Sequence, residues 1–176
     1  MSRIILVTGG ARSGKSGFAE HLALSHGAPR CYLATAQAWD KEMQERIERH
    51  RKRRNDGWQT VEEPLQLAST LTRLDGGCRV ILVDCVTLWL TNLLLAREQE
   101  PDAEEQIIAL VRDLTEQLRR MTTPVILVTN EVGSGIVPEN RLARLFRDLA
   151  GRANQLLAAA ADEVQVVISG LPLKLK

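Results

Sequence analysis

Gly9, Gly14, Lys15 and Ser16 carry the clearest chemistry in the chain. They stand at the spacing G-x-x-x-x-G-K-[ST] within Gly9-Gly10-Ala11-Arg12-Ser13-Gly14-Lys15-Ser16. Glycines at both ends let the backbone curl so that successive N–H groups converge on a phosphate chain. A helix opening at the second glycine adds the positive end of its dipole. Lys15 then reaches the β- and γ-phosphates, and the Ser16 hydroxyl is placed to hold Mg²⁺. These residues predict a nucleotide-binding protein.

Other candidates stand at the ends of apolar runs. Asp84 closes Val80-Ile81-Leu82-Val83, the layout of a carboxylate that steadies Mg²⁺ beside a phosphate loop, although a strand-terminal Asp also serves as a helix cap. Thr129-Asn130-Glu131 closes Val125-Ile126-Leu127-Val128. Glu131 is open between a solvated loop carboxylate and a catalytic group. Thr35 and Gln37, after Leu33-Ala34, fit either a ligand contact or a polar turn.

The segment Arg46-Ile47-Glu48-Arg49-His50-Arg51-Lys52-Arg53-Arg54 is strongly basic. It reads as a solvated helix face, as a nucleic-acid patch, or as a charged site. No aromatics are interleaved, which argues against nucleic acid. At helical spacing Met43, Ile47, His50 and Arg54 share a stripe, so His50 faces the way of two apolar residues. Arginines around a histidine disfavour imidazolium, and neutral imidazole is a nucleophile. The same arginines would neutralise a departing pyrophosphate.

The elements that must position these groups alternate along the chain. Strands are expected at 3–8, 31–35, 58–61, 79–84, 124–129 and 163–168, with helices near 14–26, 40–54, 64–74, 86–97, 103–120 and from Pro138. A turn at Ser169-Gly170-Leu171-Pro172 then leads to an antiparallel edge at 173–176. Strands apolar on both faces, separated by helices, imply an α/β fold with a mostly parallel sheet covered on both sides. Ligands in such a sheet sit beyond the carboxyl ends of the strands, where all the candidates above fall. The 176 residues, 44% of them hydrophobic, suit a single domain over 1–176 with a full core. A net charge of +1 gives no general attraction to nucleic acid or membrane. The apolar start is too short for a signal peptide, and Asp84 and Asn92 interrupt the greasy stretch 80–96. The three cysteines lack C-x-x-C spacing, so reduced thiols in a cytoplasmic protein are expected.

Longer motifs extend this reading. Val7-Thr8 leads into Gly9–Ser16. Then come Ala34-Thr35-Ala36, Arg46-Ile47-x-x-His50-Arg51, Trp58-x-Thr60-x-Glu62, Val128-Thr129-Asn130-Glu131-Val132-Gly133 and Ile136-Val137-Pro138-Glu139-Asn140-Arg141. On these the chain resembles, end to end, the bifunctional adenosylcobinamide kinase/adenosylcobinamide-phosphate guanylyltransferases of cobalamin biosynthesis. It departs from them at Asn55, where the family commonly has proline.

The resemblance implies two reactions. ATP or GTP phosphorylates the terminal hydroxyl of adenosylcobinamide. GTP then gives GMP to adenosylcobinamide phosphate, through a GMP-histidine at the position of His50, releasing pyrophosphate. It also implies nucleotide contacts at Gly9–Ser16, Ala34, Thr35, Ala36, Arg51, Lys52, Arg53, Arg54, Glu62 and Asp84, with Mg²⁺ at Ser16 and Asp84. A RecA-like phosphate-loop fold and a homotrimer are further implications. Two other classes remain. Another small-molecule kinase would share the loop and lack the covalent step. A nucleotide switch is disfavoured, because Asp84-Cys85-Val86-Thr87 is not D-x-x-G and Thr129-Asn130-Glu131-Val132 is not N-K-x-D.

Overall fold

The computed structural model describes residues 3–37 and 57–176. Seven strands form one sheet: β1 (Ile4–Gly9), β2 (Arg30–Ala34), β3 (Trp58–Glu62), β4 (Val80–Asp84), β5 (Val125–Val128), β6 (Glu163–Ile168) and β7 (Leu171–Lys174). Their order across the sheet is β3-β2-β4-β5-β1-β6-β7. Every pairing is parallel except β6 with β7. The helices are α1 (Lys15–Leu24), α2 (Leu67–Leu74), α3 (Val86–Ala96), α4 (Ala103–Arg120) and α5 (Arg141–Ala160).

The unbroken apolar strands are explained by two core layers. Ile4 and Leu6 of β1, Ile81 and Val83 of β4, and Val125 and Leu127 of β5 join the layer under α2–α5. The residues between them, Ile5, Val7, Val80, Leu82, Ile126 and Val128, join the layer under α1. Successive side chains point to opposite faces, so a strand covered on both sides has no polar position. The helix α4 shows the complementary one-sided pattern. Ile107, Val111, Leu114 and Leu118 are buried at helical spacing, while Glu104 and Glu105 in its first turn and Arg119 and Arg120 in its last suit its dipole.

Three boundaries differ from expectation, each for a local reason. The helix expected from Pro64 begins at Leu67, because the Glu63 carboxylate accepts from the backbone N–H of Leu65 and Gln66 and holds them in a turn. The helix expected from Pro138 begins at Arg141, with Asn140 as its N-cap accepting from Ala143 N. The last turn is tighter than expected. Ser169-Gly170 alone reverses the chain, and the edge strand runs Leu171–Lys174, with Pro172 tolerated at the sheet edge. The helix expected over 40–54 lies outside the described residues.

All three cysteines are free. The Cys31 thiol donates to the Cys78 sulfur, which pushes Cys31 up and Cys78 down from the usual thiol range.

Candidate functional site

The loop after β1 is built as a phosphate cradle. Gly9 leaves the strand at φ 154°, and a Cβ there would lie 2.5 Å from the Val167 carbonyl and 2.7 Å from Ser13 Oγ. Only glycine fits so close an approach. Ser13 N donates to Gly10 O at 3.3 Å, and Gly14, at φ 94°, is the N-cap of α1. The first-turn amides of α1 therefore open toward the loop. Lys15 is buried, and its Nζ donates to Gly10 O at 3.0 Å, so the ammonium lies across the cradle rather than out in solvent. The β6–β7 turn braces the loop from outside: Gly170 N donates to Ser13 O at 2.8 Å.

Sheet register brings further predicted residues to the same edge. Glu62, Ala34, Asp84, Val128 and Val7 form one row across β3, β2, β4, β5 and β1. With strands about 4.8 Å apart, Asp84 stands roughly 10 Å from β1 along this row. Tyr32 donates its phenolic proton to Asp84 Oδ2 at 2.8 Å, which fixes the carboxylate at the strand end. The neighbouring Cys85 thiol is pushed up to about 12 by burial and by the Asp84 carboxylate, with Lys15 opposing. That sulfur thus feels both charged groups of the site, and it is no nucleophile at neutral pH.

Thr35 is fully buried and engaged at every polar atom. Its hydroxyl donates to Cys85 O at 2.7 Å and accepts from Cys85 N at 2.9 Å. Its own N–H donates to Asp84 O at 3.3 Å, and its carbonyl accepts from Asn92 Nδ2 at 2.8 Å. The threonine braces the end of β2 against the turn that carries Asp84. Ala34 and Ala36 flank it half-buried, and Glu62 is exposed at the tip of β3. His50 and Arg51, Lys52, Arg53 and Arg54 lie outside the described residues.

A second polar cluster joins β1, α3, α5 and the segment after β5. Thr8 donates to Glu131 Oε1 at 2.6 Å, and Asn154 Nδ2 donates to the same oxygen at 3.3 Å. Asn154 also accepts from Thr129 Oγ1 at 2.8 Å and donates to Asn130 O at 3.1 Å. Thr87 Oγ1 accepts from Asn130 N at 2.8 Å. Sequence reasoning pointed to Thr129, Asn130 and Glu131 but missed Thr8, Thr87 and Asn154. The available signal was an asparagine on the buried side of α5, beside Ala150, Ala153 and Leu157.

Comparison with known proteins gives the geometry a lineage. The model of the family described as cobinamide kinase/cobinamide phosphate guanyltransferase matches residues 5–175. The chain belongs to this family. It is 48% identical over 181 residues to the bifunctional adenosylcobalamin biosynthesis protein CobU of Escherichia coli, covering 98% of this chain and 99% of that one. It is 47% identical over 172 residues to the bifunctional adenosylcobalamin biosynthesis protein CobP of Pseudomonas aeruginosa, covering 97% and 96%. Membership in this family makes the chain a transferase. Among solved structures it is similar to the RadB recombinase, with a TM-score of 0.53 and 16% identity, covering 93% of this chain and 73% of that chain. That likeness concerns the fold, which is RecA-like.

Proposed function

We propose that the protein phosphorylates the terminal hydroxyl of adenosylcobinamide with ATP or GTP and then caps the product with GMP from GTP. The observation that carries this reading is the closed cradle at Gly9–Ser16, with the Lys15 ammonium lying across it, in a chain of this family. In the first reaction the substrate oxygen bonds to the γ-phosphorus, the bond from that phosphorus to the β–γ bridging oxygen breaks, and a nucleoside diphosphate leaves. Lys15 and the loop amides neutralise charge on the transferred group. Ser16 and Asp84 offer a hydroxyl and an oriented carboxylate, hard oxygen donors that fit Mg²⁺ shared with a triphosphate. Such an ion, when bound, supplies positive charge to the phosphate oxygens.

In the second reaction the His50 imidazole bonds to the α-phosphorus of GTP and pyrophosphate departs, its charge met by Arg51, Lys52, Arg53 and Arg54. A phosphate oxygen of adenosylcobinamide phosphate then displaces the imidazole, giving adenosylcobinamide-GDP. Splitting one crowded displacement into two suits a bulky acceptor. Ala34 and Glu62 are register partners at the strand ends, with Thr35 and Ala36 directly after Ala34, and these four are the proposed contacts for the rest of the nucleotide. The working protein is proposed to be a cytoplasmic homotrimer of single-domain chains. Among the described residues no helix is long and apolar enough to cross a membrane.

Labelling tests the covalent step. GTP carrying the label at its α-phosphorus should mark the wild-type protein and leave His50→Ala unmarked, while that variant still phosphorylates adenosylcobinamide. Label retained on His50→Ala would remove the histidine from the mechanism.

A further inference from the structure

We infer that Glu131 takes the proton from the acceptor hydroxyl during phosphoryl transfer, an inference that rests on the kinase reading above. Its backbone is fixed to the phosphate loop itself, since Glu131 N donates to Gly9 O at 3.0 Å. Its side chain is exposed, yet it is held by Thr8 and Asn154. Asn154 is in turn held by Thr129 and Asn130, and Asn130 by Thr87. Residues from β1, α3, α5 and the segment after β5 thus converge to orient one carboxylate at the mouth of the cradle.

Structure alone does not call for a charge there. Both side-chain hydrogen bonds fall on Oε1, and a neutral amide oxygen has the lone pairs to accept both. A carboxylate beside a site for a triphosphate repels the ligand, a cost that an amide would avoid. Proton removal gives the charge a use. In the transfer, the hydroxyl oxygen bonds to the γ-phosphorus as its proton passes to Oε2. The nucleoside diphosphate leaves with the bridging oxygen, and Glu131 returns the proton to solvent. The GMP transfer has no such need. Its acceptor is a phosphate monoester, largely ionised at neutral pH, with no alcohol proton to remove.

The test is a split between the two half-reactions. In Glu131→Gln the Oε1 contacts persist and the base is gone. The kinase kcat toward adenosylcobinamide should fall about 10²–10⁴-fold. GMP transfer to preformed adenosylcobinamide phosphate should fall less than about tenfold, and KM for the nucleotide should stay level or drop. Glu131→Asp keeps a carboxylate one methylene further back and should recover part of the kinase rate. A kinase rate in Glu131→Gln within a few-fold of wild type would overturn the inference. Equal losses in both half-reactions would also overturn it, as would an aspartate variant no better than the glutamine one. Wild-type protein with no kinase activity on adenosylcobinamide would instead defeat the underlying reading.

Discussion

Thr35 shows how a residue at the end of a strand can act through the backbone that it braces. Its hydroxyl satisfies both the N–H and the C=O of Cys85, in a buried turn directly after Asp84. Valine at this position keeps the shape and removes the hydroxyl; Cys85 O keeps the N–H of Trp89 at 3.2 Å, but the buried Cys85 N–H is left orphaned. Such an orphan costs roughly 1–3 kcal/mol. Thr35→Val should therefore destabilise the protein by about 1–3 kcal/mol and lower Tm by roughly 3–10 °C, as read by thermal denaturation. A loss under about 2 °C would show that the brace is dispensable. The sequence marked Thr35 by its place at a strand end but left contact and turn equally open. The partner that it braces is fifty residues downstream, and parallel pairing of β2 with β4 brings it near. Asp84 and Lys15 were readable without such help, because a strand end and a helix start fix their positions locally. Tyr32, inside an apolar run, gave no sign that its hydroxyl would reach Asp84.

At the scale of elements, the phosphate loop depends on a hairpin more than 150 residues away. Gly170 sits at φ 82° and donates to Ser13 O. A Cβ on Gly14 would come 3.2 Å from Gly170 Cα, so loop and turn are in near contact. An L side chain in left-handed backbone costs about 1–2 kcal/mol. Gly170→Ala should relax the turn away from that φ and shift the Ser13 carbonyl with it. GTP binding, measured by calorimetric titration, should weaken about 3–10-fold. Unchanged affinity alongside a lowered Tm would mean that the hairpin stabilises the fold without shaping the cradle. The strands and most helices were legible because their apolar periods are strong. The misplaced helix starts fall where Glu63 and Asn140 compete with proline to set the first turn, and that contest is settled by side-chain contacts rather than by periodicity.

For the whole molecule, the distribution of apolar surface bears on assembly. Ile168 and Leu171 are cross-strand neighbours on the β6–β7 hairpin, followed by Val166 beside Leu173. Ile168, Leu171, Leu173 and Leu175 are 61%, 73%, 58% and 62% exposed. They continue the sheet face on which Val164 joins the core, past the point where α5 covers it. A bare apolar edge of this kind marks an association surface. Threefold closure requires each chain to offer two different patches, so the hairpin face would meet some other surface of its neighbour and not its own copy. Lysines at two of these positions should break the contact by setting charges in an apolar interface. The double variant Leu171→Lys, Leu173→Lys should elute at the mass of one 19.6 kDa chain in light-scattering chromatography, against three for the wild type if the proposed homotrimer forms through this face. Both side chains are already in solvent within one chain, so its Tm, extrapolated to low protein concentration, should change little. An intact trimer in the double variant would place the interface elsewhere. A wild type that elutes as one chain at every concentration would show that the exposed hairpin has no self-association role.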